Sequence, residues 1–134
     1  MVTEPGPRPA SPAGLAVQEM LDTRFRDEAP FYAEMLAVFV ETSREPIVRM
    51  RGALSSGAWG DLRSAAHFVK GGALTVGAEL MADGARQLEE WARAREAGGA
   101  GDGPVAADAR LDALEAALRD IDGFALRLAE WACR

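Results

Sequence analysis

The sequence predicts an all-α fold, an antiparallel four-helix bundle with additional N-terminal helices covering the bundle. Apolar side chains recur every three to four residues through most of the chain, which is the period of an amphipathic helix. No segment shows the strict alternation of apolar and polar residues that is typical of a half-buried strand. The links between the helical segments are short, and short links favour antiparallel neighbours in a bundle.

Composition and periodicity divide the chain into three parts. Residues 1–14 contain four prolines and two glycines, so we predict a flexible leader that neither forms a helix nor joins a core. Residues 15–45 carry a helical spacing that begins weakly at Leu15, and they are predicted to form the N-terminal helices. Pro46 is predicted to end the second of these helices and to start the next, because proline is tolerated at a helix start but not in the interior.

Residues 46–131 are predicted to supply the four helices of the bundle. The predicted helices cover, in chain order, roughly 46–55, 59–76, 78–95 and 105–131, with a glycine-rich linker over 98–104. Alternating four- and three-residue spacing predicts a buried seam in the second helix, at Leu62, Ala66, Val69, Ala73 and Val76. The inward stripes predicted for the third and fourth helices include Leu80, Leu88, Trp91, Leu118 and Leu126.

Composition and charge exclude several classes of partner. The formal net charge is −6, whereas binding to a nucleic-acid backbone requires a basic surface, so nucleic acid is not expected. No stretch reaches the roughly twenty apolar residues of a membrane span, so no membrane partner is expected either. The single cysteine, Cys133, has no intrachain partner, which favours a cytoplasmic location, and we expect a monomer.

The only histidine and the only lysine of the chain stand three residues apart, at His67 and Lys70. All other basic residues are arginine, so the lysine beside the lone histidine is an exception to the composition. In a helix the two side chains project from one face, with a nucleophilic nitrogen beside a cation that is suited to an anion. The alternative interpretation of His67 is a hydrogen-bonded residue at the boundary of the core.

Two consecutive glycines, Gly71 and Gly72, follow this pair inside the predicted helix. Each costs on the order of 1 kcal/mol relative to alanine, so some other interaction should compensate for them. Gly71 shares a face with His67, where a missing side chain would allow the backbone of another protein to approach the imidazole. For Gly72, close packing between helices is an equally good explanation.

The segment from Ala66 to Met81, AHFVKGGALTVGAELM, resembles the signature of histidine-containing phosphotransfer (HPt) domains. The residues that match at the family's spacing include Ala66, His67, Lys70, Gly71, Gly77 and Ala78. Upstream, Trp59 and Leu62 stand where the family has a tryptophan and a leucine, and RQLEEWAR downstream resembles the following helix. The resemblance covers about residues 46–128 and implies a four-helix bundle with the signature on its third main helix.

The resemblance implies a role for three residues in a two-component phosphorelay. His67 would accept a phosphoryl group from an aspartyl phosphate on a receiver domain and pass it reversibly to a second receiver. Lys70 would offset the phosphoryl charge, and Glu89, twenty-two residues after the histidine, would hydrogen-bond and orient the imidazole. A solvated helix residue is the alternative interpretation of Glu89. The partners would be response-regulator receivers or a hybrid histidine kinase, docked on a surface of Arg63, Ser64, Gly71 and Leu74.

Leu74 is equally compatible with a core position. The chain has no GxxxxGK[ST] loop, so it should not take phosphate from ATP itself, and we expect a phosphoryl carrier without kinase activity of its own. We expect no cofactor bound by this chain and Mg²⁺ supplied by the receiver, because no compact acidic cluster lies near His67. The runner-up is a non-catalytic HPt-like adaptor that binds a receiver or kinase and inhibits or scaffolds it.

Overall fold

The computed structural model describes residues 6–99 and 103–133, and in this part of the chain all regular structure is helical. The helices are α1 (Val17–Asp22), α2 (Ala29–Ser56), α3 (Trp59–Val76), α4 (Glu79–Glu96) and α5 (Pro104–Ala132). A single isolated bridge between Leu15 and Ala78 is the one β-type pairing in the described ranges. The predicted all-α class is therefore confirmed.

The four long helices close into an antiparallel bundle. α2 packs against α3 and α5, and α4 packs against the same two helices. The turns from α2 to α3 and from α3 to α4 are tight, because Gly57 and Gly77 end α2 and α3 with φ angles of 77° and 78°. These left-handed angles suit glycine, and they reverse the chain within two residues.

The predicted helix end before Pro46 is wrong. α2 is one helix of 28 residues, and Pro46 lies inside it with its side chain buried. The apolar stripe continues in phase across the proline, through Phe39, Val40, Ile47 and Met50, so packing on the core outweighs the lost backbone hydrogen bond. The predicted boundary between residues 45 and 46 consequently falls inside α2. Among residues 6–99 and 103–133, α1 alone is additional to the bundle, whereas we expected two N-terminal helices.

The N-terminal residues cover the end of the bundle where α3 stops and α4 begins. Residues 6–14 contain no helix, yet the indole Nε1 of Trp131 donates a hydrogen bond to the Gly6 carbonyl at 2.7 Å. The Leu80 amide donates to the Gly14 carbonyl at 3.2 Å. The apolar residues of α1 are buried here: Val17, Met20 and Leu21. Residues 1–5 of the predicted leader and 100–102 of the predicted linker lie outside the described residues.

The seam predicted for α3 is buried at each of its five positions, Leu62, Ala66, Val69, Ala73 and Val76. Two inward assignments on the neighbouring helices are wrong, because Leu80 and Leu126 are exposed. In α5 the three-and-four alternation that passes through Ile121 continues to Ala125 and Leu128, which leaves Leu126 on the outer face. The bundle core is thus continuous beneath the surface on which His67 lies.

Candidate functional site

His67 lies at the edge of the buried seam of α3, on the side that faces α4. The neighbouring Ala66 is fully buried, whereas 68% of the His67 side chain is exposed. The imidazole Nδ1 lies 3.1 Å from Oε1 of Glu89 on α4. The histidine is therefore a surface residue with one ring nitrogen held by the adjacent helix, and it is not part of the core.

Glu89 is a buried carboxylate surrounded by cations. Its side chain is only 7% exposed, and its Oε2 lies 2.8 Å from the ammonium nitrogen of Lys70. Arg93, one turn later on α4, approaches Oε1 at 3.3 Å. Burial by itself would raise the pKa of Glu89, but the contacts with Lys70 and His67 outweigh burial, and the pKa lies below its ordinary value. The group is thus ionised at neutral pH and can only accept hydrogen bonds.

This acceptor determines the tautomer of the histidine. Because an ionised carboxylate cannot donate, Nδ1 of His67 carries the proton and donates it to Glu89. In the neutral ring Nε2 then keeps its lone pair, on a side chain that is largely open to solvent. The arrangement provides an oriented and accessible nitrogen nucleophile. The alternative interpretation of Glu89 as a solvated helix residue is wrong, because this side chain is buried.

One of the comparisons with known proteins identifies the family of this chain. A family model described as Hpt domain matches residues 34–123, which is more than half of the chain. The chain belongs to the Hpt domain family. The comparisons with curated proteins and with solved structures found no significant match. Members of the Hpt family take part in histidine phosphotransfer within phosphorelays.

The Hpt match extends further toward the N-terminus than the sequence signature indicated. It begins at residue 34, inside α2, whereas the resemblance was traced only from about residue 46. The extension is consistent with α2 being one continuous helix of the Hpt domain. His67, Lys70 and Glu89 all lie within the matched residues.

The predicted partner surface lies on α3 of the Hpt domain, on the same side as the imidazole. Ser64 and Gly71 are exposed, and Leu74 is also exposed, so its alternative placement in the core is wrong. Arg63 is not a free cation, because it forms a short hydrogen-bonded ion pair with Glu96 of α4. The structure therefore brings the four predicted residues to one face of α3, with the charge of Arg63 largely compensated.

The two consecutive glycines have different surroundings in the Hpt domain. A Cβ atom added to Gly72 would lie 3.1 Å from Cδ1 of Phe39, so close packing of α3 on α2 explains this glycine. Apart from the chain neighbours and the backbone of its own helix, a Cβ atom added to Gly71 would meet no described atom within 4 Å. Internal packing of the chain consequently gives no reason for a glycine at position 71.

Arg93 is a residue near the imidazole that the sequence analysis missed. It lines the same surface depression as His67, together with Arg63, Ser64 and Glu89. The signal was available, because residues four apart on a helix share a face and Arg93 stands four residues after Glu89.

Within residues 6–99 and 103–133, no three or more side chains of His, Cys, Asp or Glu are grouped so that they could hold a metal ion. In the same residues, no helix has the length and apolar character that crossing a membrane requires.

Proposed function

We propose that this Hpt domain carries a phosphoryl group on His67, accepting it from the aspartyl phosphate of one receiver domain and delivering it to the aspartate of another. The observation that carries the proposal is the exposed imidazole whose Nδ1 is held at 3.1 Å by the buried Glu89. The hydrogen bond places the proton on Nδ1, so the Nε2 lone pair of the neutral ring is the one that can attack phosphorus.

The transfer balances without any proton leaving the site. The Nε2 lone pair attacks phosphorus, the P–O bond to the aspartate breaks, and the aspartate departs as a carboxylate. The new N–P bond makes the ring positively charged, because Nδ1 keeps its proton. Glu89 stabilises that charge across the existing hydrogen bond, and the nearby positive charge of Lys70 offsets the phosphoryl group. The same steps in reverse deliver the phosphoryl group to the second receiver.

The divalent cation of the reaction would come with the receiver. Glu89 is the carboxylate in contact with His67, and both of its oxygens already face cations, so it does not fit as a metal ligand. Mg²⁺ bound by the partner would neutralise charge that develops on the transferred group. The chain itself would act as a cytoplasmic phosphoryl carrier rather than as an ATP-dependent kinase.

The docking surface would lie around Ser64, Gly71 and Leu74. A transient partner needs an accessible and nearly flat approach to the imidazole, and the open space at Gly71 supports such an approach from outside the chain. The exposed Leu74 adds an apolar contact one turn further along α3. The partners would be response-regulator receivers, including the receiver of a hybrid histidine kinase.

A transfer assay tests the proposal. The purified protein would be mixed with a panel of radiolabelled phosphorylated receivers and Mg²⁺, beside His67→Gln as the variant that lacks the nucleophile. Rapid gain of acid-labile and alkali-stable label by wild type alone is expected. Binding without any transfer would instead favour the adaptor that inhibits or scaffolds a receiver or kinase.

A further inference from the structure

The last turn of α3 has its carbonyl groups satisfied from outside the helix. A helix end leaves its last carbonyl groups without donors from a following turn. In α3 the carbonyl groups of residues 74–77 accept hydrogen bonds from three residues near the N-terminus: the Ala16 amide at 2.9 Å, the Arg24 guanidinium at 2.8 and 3.3 Å, and the Tyr32 hydroxyl at 2.8 Å. Residues 14–32, which we call the capping segment, therefore fix this end of the helix.

The capping segment also contacts the turn that follows α3. The Leu80 amide donates a hydrogen bond to the Gly14 carbonyl at 3.2 Å. A Cβ atom added to Gly77 would lie 2.7 Å from Cγ of Met20, so α1 approaches this turn more closely than a residue with a side chain would allow. Backbone pairing and apolar packing thus seat the segment from which the hydrogen bonds to α3 are donated.

Arg24 differs from the other two donors of the capping segment. Ala16 donates through its backbone, and the Tyr32 side chain is fully buried. Arg24 is exposed, and its Nη1 lies 3.3 Å from the Leu74 carbonyl oxygen and 2.8 Å from that of Thr75. Its positive charge lies at the C-terminal end of α3, which the helix dipole favours. Arg24 is therefore the donor that reaches the backbone of Leu74, a residue of the predicted docking surface.

The stretch between His67 and the last turn of α3 gives this contact its importance. Gly71 and Gly72 are consecutive, and glycine lowers the stability of a helix interior. Helix ends fray, so α3 would open most easily from its end back toward these glycines if its last carbonyl groups lost their donors. Leu74 lies between the glycines and the end, with its side chain exposed. Its position thus depends on the contacts that close the last turn.

We propose that Arg24 is a positioning residue for the docking of a receiver domain. By holding the carbonyl groups of Leu74 and Thr75, it keeps the last turn of α3 and the apolar side chain of Leu74 in the arrangement that the receiver contacts. The inference deepens the proposed phosphotransfer function and rests on it. Leu74 lies about two helical turns beyond His67, so Arg24 acts on docking and leaves the chemistry at the imidazole unchanged.

Two phosphoryl donors separate docking from chemistry. Phosphoramidate labels His67 without any partner protein, since its N–P bond breaks as the bond to Nε2 forms and ammonia leaves. Arg24→Ala should be labelled by it at the wild-type rate. With a phosphorylated receiver and Mg²⁺, the receiver concentration that gives half of the maximal transfer rate should rise by roughly threefold to tenfold, as expected for the loss of one hydrogen bond of ordinary strength. Arg24→Lys keeps a cation that can donate to a carbonyl group, and it should recover part of this loss.

Amide hydrogen exchange of the free protein gives a readout that a direct contact between Arg24 and the receiver would not move. The amides of Gly77 and Ala78 both donate to the Ala73 carbonyl, so their exchange reports the opening of the last turn of α3. In Arg24→Ala both amides should exchange faster than in wild type. The Leu62 amide, near the start of α3, should exchange at the same rate in the two proteins.

Arg44→Ala is the matched control for the loss of an exposed arginine. Arg44 is half-exposed and paired with Glu41 and Asp122, on the side of α2 that faces α5. This variant should match wild type in labelling by phosphoramidate, in its dependence on receiver concentration and in amide exchange at the end of α3. Circular dichroism of all variants would show whether each retains the helical fold before its rates are compared.

The positioning role of Arg24 requires changes both in the dependence on receiver concentration and in amide exchange. A weaker response to the receiver with unchanged exchange would indicate a direct contact and overturn the positioning role. Faster exchange without any effect on transfer would overturn the link to docking, and so would slower labelling of Arg24→Ala by phosphoramidate. Failure of wild type to accept phosphate on His67 from either donor would instead overturn the proposed function, whatever the exchange rates show.

Discussion

Two charge clusters on different sides of the bundle have opposite signs and different surroundings. On the α3–α4 side, the carboxylate of Glu89 is surrounded by three cationic or hydrogen-bonding groups, His67, Lys70 and Arg93. On the α2–α5 side, the guanidinium of Arg51 contacts three carboxylates at 2.7 to 3.0 Å, those of Asp108, Asp112 and Glu115. The first cluster centres on a buried anion and the second on a partly exposed cation.

Glu89 and Arg51 differ in burial, and this difference gives the two clusters different roles. The side chain of Glu89 is 7% exposed, whereas that of Arg51 is 34% exposed. A buried charge must keep its partners, so Glu89 holds the imidazole in one orientation. A partly exposed charge is screened by solvent, so the Arg51 cluster mainly ties α2 to α5 at a small gain in stability. Only the first cluster contains a nucleophile with an accessible lone pair.

The largest expected difference between the clusters is in phosphoryl transfer itself. His67→Gln removes the only histidine of the chain, and labelling by a phosphorylated receiver should fall to background. Arg51→Gln removes the centre of the other cluster and should leave the single-turnover transfer rate unchanged. Acid-labile label retained by His67→Gln would contradict the assignment of the nucleophile.

Removal of one carboxylate from each cluster should also affect the rate of phosphoryl transfer differently. Glu89→Ala leaves the imidazole without the acceptor that orients it, and the transfer rate should fall by roughly tenfold to a hundredfold, as is typical when an orienting partner is lost. Glu89→Gln keeps an acceptor oxygen and should lose less. Asp112→Ala is the matched variant in the Arg51 cluster, and transfer as slow as in Glu89→Ala would show that the effect is not specific to the site.

An exposed glycine on α3 and one on α2 allow the helix surface beside His67 to be compared with a helix surface on α2. Gly71 and Gly52 both lie in helices, and at either position an added Cβ atom meets no described atom within 4 Å other than its chain neighbours and the backbone of its own helix. Gly71→Arg should slow transfer several-fold by obstructing the approach of a receiver, while circular dichroism shows an unchanged helical fold. Gly52→Arg should transfer at the wild-type rate. Normal transfer in Gly71→Arg would defeat the docking argument.

The smallest expected effect is a dependence of stability on pH that comes from Glu89. Its pKa in the folded protein lies below the ordinary value of 4.5, so the ionised carboxylate stabilises the fold above that pH. The contribution is lost as the pH falls through the lower folded pKa. Urea unfolding of wild type and Glu89→Gln should therefore give free energies whose difference is constant near neutrality and shrinks below about pH 4.5. A difference that widens in acid would have the wrong sign.

Much of the site could be predicted because its signal is local. The three-residue spacing of His67 and Lys70 on one helix, and the consecutive glycines that follow, are visible without any tertiary contact. The role of Glu89 required the family resemblance, since twenty-two residues separate it from the histidine. The four-residue spacing of Glu89 and Arg93 on one helix was also visible in the sequence, but the burial of Glu89, which draws Arg93 into its ion pairs, is a property of the packed helices.

The sequence alone predicted the helical class and placed the ends of α3 and α4 within a residue of those observed, because helical periodicity and turn glycines are properties of short segments. It did not predict that α2 continues through Pro46, where burial of the apolar stripe outweighs a local penalty. Nor could it distinguish Gly72, packed against Phe39, from the open Gly71. Tertiary structure decided these points, because each depends on what a neighbouring helix places within a few ångströms.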